Sequence, residues 1–490
     1  MKNFFFILTV FVLCSASTTL AQWSNGQAAE LVLGQANFTS KTSGSGQNKF
    51  NLPNDVAVDP STGKIFVAED GNNRILRFKD ITSLQNNDNA EVVFGQPDFT
   101  TISAGRAKNK FDGVTGIFVD NEGRLWVAEY NNRRVLWFND AATTSTNGNN
   151  ADGVLGQVNF TTLNFTGSQT IMGGVTDIFV SANGTLWVAD NMYRRVLKYN
   201  DAKNKSNGAA ADGVLGQTDF NSDATTVDEK TIGGRPWGLV MINNSLFVSD
   251  IYNYRILRFD DAENLANGAA ASAVIGQPDF TTTNNGVTNQ RFYTPGGLTT
   301  DGKGNLYVVD GGKYLPTLGN NRILIFNNAT SLSNNPTANF VIGQSGFTTD
   351  VSATTATGLN IPWGAAYDTT NNKLLVADTE NHRVLVYSPS SSTNIEKNKP
   401  LITSTFVLNQ NYPNPFNPTT TISYEIPKKE FVTLKVYNFI GQEVASLVNH
   451  EQPAGTYSLS FNANALSTGV YFYKLQAGNF TETKKMTLIK

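Results

Sequence analysis

Histidine and cysteine are nearly missing from this chain of 490 residues, which has two of the first, His382 and His450, and one of the second, Cys14. A single cysteine excludes a disulfide framework and a thiolate metal site. So little imidazole leaves no spare histidine for a Ser-His-Asp arrangement, and no Gly-x-Ser-x-Gly run accompanies one. Most acid–base options at neutral pH go with it. An excess of positive charge is also lacking: 37 Lys and Arg face 40 Asp and Glu, for a net charge of −3. The basic residues are scattered and form no stripe, so nucleic-acid binding lacks its electrostatic footprint. Long apolar runs are confined to Phe4–Leu13, too short to span a bilayer as a helix. Lys2 precedes that run and Thr19-Leu20-Ala21 ends it, so residues 1–21 read as a secretory signal peptide cleaved after Ala21. Cys14 leaves with it, and the mature chain is expected to carry no transmembrane helix.

Glycine, by contrast, is placed with regularity. A hydrophobic pair runs into Gly-Gln and then Phe six times, at Gly34, Gly95, Gly156, Gly216, Gly276 and Gly343, with spacings of 61, 61, 60, 60 and 67 residues. A fixed period of this kind means an array of identical supersecondary units. Three short runs follow each Gly-Gln, in the first unit Val56–Asp59, Ile65–Glu69 and Arg74–Phe78. They are rich in β-branched and aromatic residues and punctuated by Gly, Asn and Asp, as antiparallel hairpins are. With the Gly-Gln run as fourth strand, each unit is a four-stranded meander, and six of them arranged radially make a β-propeller. The Gly-Gln run at Leu31–Gln35 precedes the first trio, so it is expected to complete the sixth blade beside Leu374–Tyr387. The longer last spacing arises where Asp310 and Arg322 are separated by twelve positions rather than five, which predicts a loop insertion at Gly311–Gly319.

The run Val376-Ala377-Asp378-Thr379-Glu380-Asn381-His382-Arg383-Val384-Leu385 resembles the signature of the NHL-repeat propellers, with weaker copies in the other five units. That resemblance covers about residues 30–390 and implies the fold. It does not choose a function, because the family includes enzymes, RNA binders and adhesion modules.

Composition changes after the ring: no Arg or Asp occurs beyond Arg383, and Ser388–Thr393 reads as a flexible linker. The boundaries expected are a signal peptide at 1–21, a propeller at 22–388, a linker at 389–403 and a small immunoglobulin-like β-sandwich at 404–490. That last segment closely resembles the type A C-terminal sorting domain of the type IX secretion system. The matching residues are Tyr412–Pro418, Val436-Tyr437-Asn438 with Gly441-Gln442-Glu443-Val444, Ala454–Tyr457 and Ser467–Tyr473. The resemblance implies passage across both membranes, the secretion machinery as partner, removal of the domain, and a product on the cell surface or in the medium.

An acid closing the second strand recurs with an Arg, as Glu69 with Arg74 or Asp378 with Arg383. A catalytic centre occurs once, whereas these pairs occur in every unit, so they read as structural partners for buried charge. The six Phe and Trp126, Trp137 and Trp187 read as core between blades. Function is therefore sought where the copies differ, at the triplets that open each first strand. Their middle residues are Asn54, Thr115, Thr176, Trp237, Gly296 and Trp363, with Asp55 and Asp177 in place of Gly and Arg235 just before Pro236. Around the channel mouth these would suit a carbohydrate or protein ligand outside the cell. The alternative is a metal-dependent hydrolase or lyase of gluconolactonase type, with Asn54, Asp55 and Asp177 around Ca²⁺.

Overall fold

The computed structural model describes residues 22–311, 319–390, 406–411, 413–452 and 455–490. The expected signal peptide with Cys14, and most of the Gly311–Gly319 insertion, lie outside the described residues. The chain divides into two compact units, the first ending at Ser390. No helix among the described residues is long and apolar enough to cross a membrane.

The first unit consists of six four-stranded antiparallel sheets. Blade 1 runs from the channel outward through Pro53–Val58, Lys64–Glu69, Arg74–Asp80 and Val92–Phe94. Blades 2 to 5 repeat this order, beginning at Val114, Val175, Pro236 and Pro295. Blade 6 takes Pro362–Asp368, Lys373–Asp378 and Arg383–Tyr387 from one end of the chain and Leu31–Leu33 from the other. Leu31 pairs with Val386 and Leu33 with Val384, so the ring closes with strands from both termini, as the repeat phase predicts. The seal extends to Ser390, whose carbonyl accepts from the Gln22 amide at 2.7 Å.

The repeated letters have specific tasks. In each blade the arginine that opens the third strand is buried and paired with the acid that closes the second. The same guanidinium donates to the carbonyl of the Phe that follows Gly-Gln, in all six blades. Five of those six rings are only half-buried; Phe160 alone is fully buried. The position thus holds its place by a backbone acceptor as much as by apolar packing. The buried Gln clamps a neighbouring turn, as Gln35 does by donating to the carbonyls of His382 and Thr42. Its glycine partner is obligatory: Gly34 has φ +82, and a Cβ there would lie 2.2 Å from the Phe50 ring. Trp126, Trp137 and Trp187 are buried between blades, as expected.

The second unit is a two-sheet sandwich. One sheet holds Val407–Leu408, Thr419–Ile426 and Gly455–Asn462; the other holds Glu430–Asn438, Glu443–Gln452, Gly469–Ala477 and Phe480–Leu488. Alternation decides which side chains meet between the sheets. Val432, Leu434, Val436, Tyr473 and Leu475 point inward to Ile422, Tyr424 and Ile426.

Candidate functional site

The innermost strands bulge at the residues singled out by sequence. In blades 1 to 3 the register slips one residue between Pro53 and Asp55, Val114 and Gly116, and Val175 and Asp177. A bulge re-aims the extra side chain, and in these blades it reaches the next blade. Asn54 Nδ2 donates to the Val114 carbonyl at 3.3 Å, Thr115 Oγ1 to that of Val175 at 2.7 Å, and Thr176 Oγ1 to that of Pro236 at 3.2 Å. Where the middle residue is Trp, other groups supply this belt. Ser249 Oγ donates to the Gly296 carbonyl and Thr379 Oγ1 to that of Pro53, each at 2.7 Å.

The two tryptophans meet. Trp237 of blade 4 and Trp363 of blade 6 stack with centroids 4.5 Å apart and planes 24° apart. They can do so because blade 5 has Gly296 between them, where an added Cβ would lie 3.1 Å from the Trp363 ring. Trp363 is 5% exposed and packs with Ile251 and Ile361, whereas Trp237 keeps part of its surface open.

This pair forms one wall of a mouth cavity of about 350 Å³ that Asn54 and Thr115 also line. Sequence reasoning missed Asp70, Tyr130 and Asn131, which line it too. They follow the paired acid of the second strand, where the six copies read Asp70, Tyr130, Asn191, Ile251, Gly311 and Thr379. That variation was the available signal. Arg235 is not part of either cavity's lining; it has φ 78 and acts electrostatically on Tyr252.

Asp55, Asp177 and Thr176 lie deeper, around a channel cavity of about 170 Å³ that the tryptophans cap and Phe118, Phe179 and Tyr367 line. Each carboxylate braces neighbouring inner strands. Asp55 Oδ2 accepts from the Ile117 amide at 2.9 Å, and its Oδ1 fills the space beside Gly364. Asp177 Oδ2 accepts from the Leu239 amide at 2.8 Å, and its Oδ1 lies beside Gly116. Burial pushes the Asp177 carboxyl up to about 7; burial and the charge of Asp177 push Asp55 well above the ordinary range. No group of three or more His, Cys, Asp or Glu able to hold a metal exists among the described residues.

The sign of the resulting pH dependence is fixed. A carboxyl whose folded pKa is raised favours the protonated fold, so its contribution is complete below 3.8 and is lost as pH rises toward about 7. Asp177→Asn keeps a neutral acceptor for Leu239 and removes that loss. The melting temperature of the variant relative to wild type should rise between about pH 5 and about pH 8, by the equivalent of a few kcal/mol at most. The acids paired with arginine are common to both proteins and cancel, while Asp55, no longer pushed up by the Asp177 charge, adds to the rise in the same direction. A difference that does not change with pH would refute the assignment.

The secretion system C-terminal sorting domain family matches residues 410–490, and the NHL repeat matches residues 50–78 and 359–387. No curated protein matches the sequence. Solved structures that match include PorZ, a surface component of the type IX secretion system of Porphyromonas gingivalis, at 16% identity and TM-score 0.37. The match covers 91% of this chain and 53% of PorZ, so the chain spans about half of that protein's length. A gluconolactonase from Xanthomonas campestris matches at 12% identity and TM-score 0.42, over 73% of this chain and 97% of its own. An auxiliary nutrient binding protein from Bacteroides ovatus matches at 12% identity and TM-score 0.47, over 75% and 78%.

Proposed function

We propose that this chain, an NHL-repeat propeller with a type IX sorting domain and an extracellular or cell-surface location, binds a carbohydrate at its channel mouth. The observation that carries the reading is the stacked Trp237–Trp363 pair, which occurs once in the ring and walls a cavity whose lining also includes Asp70, Asn131, Asn54, Thr115 and Tyr130. A sugar has an apolar face for an indole and hydroxyls for a carboxylate and amides, so both walls would be used. Trp363 is buried and shapes the wall; Trp237 is the indole with surface to offer.

Glycan-array screening of the purified protein should return a ligand, followed by titration of intrinsic tryptophan fluorescence. Trp237→Ala should weaken that ligand roughly tenfold while costing well under the 3–5 kcal/mol of a fully buried Trp. Trp363→Ala should cost more stability, because its indole is fully packed. Unchanged affinity in Trp237→Ala would move the ligand elsewhere.

The deeper acid pair supports a second reading as a Ca²⁺-dependent hydrolase or lyase. Asp55, Asp177 and Asn54 offer fewer oxygens than the roughly six to eight that Ca²⁺ takes, so ligand or water would have to complete the shell. Equilibrium dialysis with Ca²⁺ separates the two: stoichiometric binding that Asp177→Asn abolishes favours the enzyme.

A further inference from the structure

In the sorting domain, the strands Glu430–Asn438 and Glu443–Gln452 are joined by a turn that holds apolar side chains out to solvent. Phe439 is 78% exposed, the largest exposure among the large hydrophobic residues described, and its neighbour Ile440 is 62% exposed. The turn is not loose. Asn438 Oδ1 accepts from the Ile440 amide at 3.2 Å and the Gln442 amide at 2.9 Å, and Asn438 Nδ2 donates to Gln442 Oε1 at 2.9 Å. The Gly441 amide donates to the Asn438 carbonyl at 3.0 Å, and the Asn438 amide to the Gln442 carbonyl at 2.9 Å. Gly441 supplies the positive φ, +84, that closes the turn. Asn438, Gly441 and Gln442 thus form a scaffold, and what the scaffold presents is Phe439 and Ile440.

The sheet face behind the tip continues the apolar surface. Tyr437 lies directly opposite Phe472, and both point away from the sandwich core. Val470, 39% exposed, is two residues from Phe472 on the same face, at the tip end of its strand. A soluble domain rarely leaves such a contiguous patch open unless a partner covers it. Rigid presentation keeps the ordering cost of docking small.

We propose that Phe439 and Ile440, backed by Tyr437, Phe472 and Val470, are the docking surface for the type IX export machinery, inserting into an apolar cleft of one of its components. The proposal rests on residues 410–490 being a sorting domain, whose partner is that machinery. The apolar character of the tip, beside the Lys435–Glu443 ion pair at the base of the turn, says that the receiving cleft is apolar.

The test is export of the full chain from a bacterium that carries the system. Phe439→Ser with Ile440→Ser should drop the exported fraction roughly tenfold or more, the loss expected for two central anchors, with periplasmic accumulation. The purified variant should melt where wild type does, since both side chains are solvent-exposed. Phe431→Ser removes another exposed ring, 53% open at the far end of the same strand, and should export normally. Wild-type export of the tip variant overturns the proposal; so does equal loss in Phe431→Ser, or a tip-dependent dimer whose disruption leaves export intact. A chain truncated after Ser390 separates the levels. If it too is exported, the sorting-domain reading fails; if only the truncation is retained, the tip proposal alone fails.

Discussion

Arg383→Met is expected to loosen the ring at its closure before any other blade. The guanidinium of Arg383 pairs with Asp378 at 2.7 Å and donates to the carbonyls of Thr355 and Gly358 at 2.9 and 3.0 Å. It also donates to the carbonyl of Phe38, some 345 residues away in sequence. Methionine fills part of the volume and makes none of these bonds. One buried carboxyl and three carbonyls lose their cation, and removing one partner of a buried pair costs roughly 3–5 kcal/mol. The same replacement at Arg195 should cost a similar amount, because its bonds to Asp190, Phe220, Ser168 and Ile171 have the same pattern. The two variants should differ in place rather than size. Leu31–Leu33 is the only strand of its blade contributed by the other end of the chain, and its return to the ring is the costliest loop to close. Hydrogen exchange should therefore accelerate at Leu31 and Leu33, which face the Arg383–Tyr387 strand, in Arg383→Met and not in Arg195→Met. Equal exchange of that strand in the two variants would mean closure does not depend on this arginine.

The ring was legible because its code is redundant. Gly34 and its five equivalents, the Gln beside each, and the acid–arginine pairs each recur in phase, so one misread copy is outvoted by five. Closure by Leu31–Leu33 followed from counting strands. The mouth was harder because its chemistry depends on neighbouring blades. Asn54, Thr115 and Thr176 look like free polar groups in sequence, yet each finds its acceptor about sixty residues away on the next inner strand. Trp237 and Trp363 stand out as non-repeating, but their stacking depends on Gly296, a residue remarkable only for what it lacks. Asp70, Tyr130 and Asn131 were overlooked because their turn carries the strong acid-to-arginine signal, which drew attention to the letters that repeat. Asp55 and Asp177 were seen as substitutions for Gly; that they face the space left by Gly364 and Gly116 needs the ring closed first.

A chain ending at Ser390 should keep the propeller and lose the route out of the cell. Every strand of the six blades lies before that residue, and the last main-chain bond of the ring is the one from Gln22 to Ser390. The sandwich that follows buries its own core from Leu408 to Leu488. Thermal unfolding of the truncated protein, made without residues 1–21 in the cytoplasm, should be cooperative, with a midpoint within a few degrees of the propeller transition in the full chain. Expressed with residues 1–21 in a host with the type IX system, the truncated chain should remain periplasmic, so that the exported fraction falls to background. The two measurements test different links: an unfolded truncation would mean that the ring needs residues beyond Ser390, and an exported one would mean that residues 410–490 are not what carries the propeller across the outer membrane.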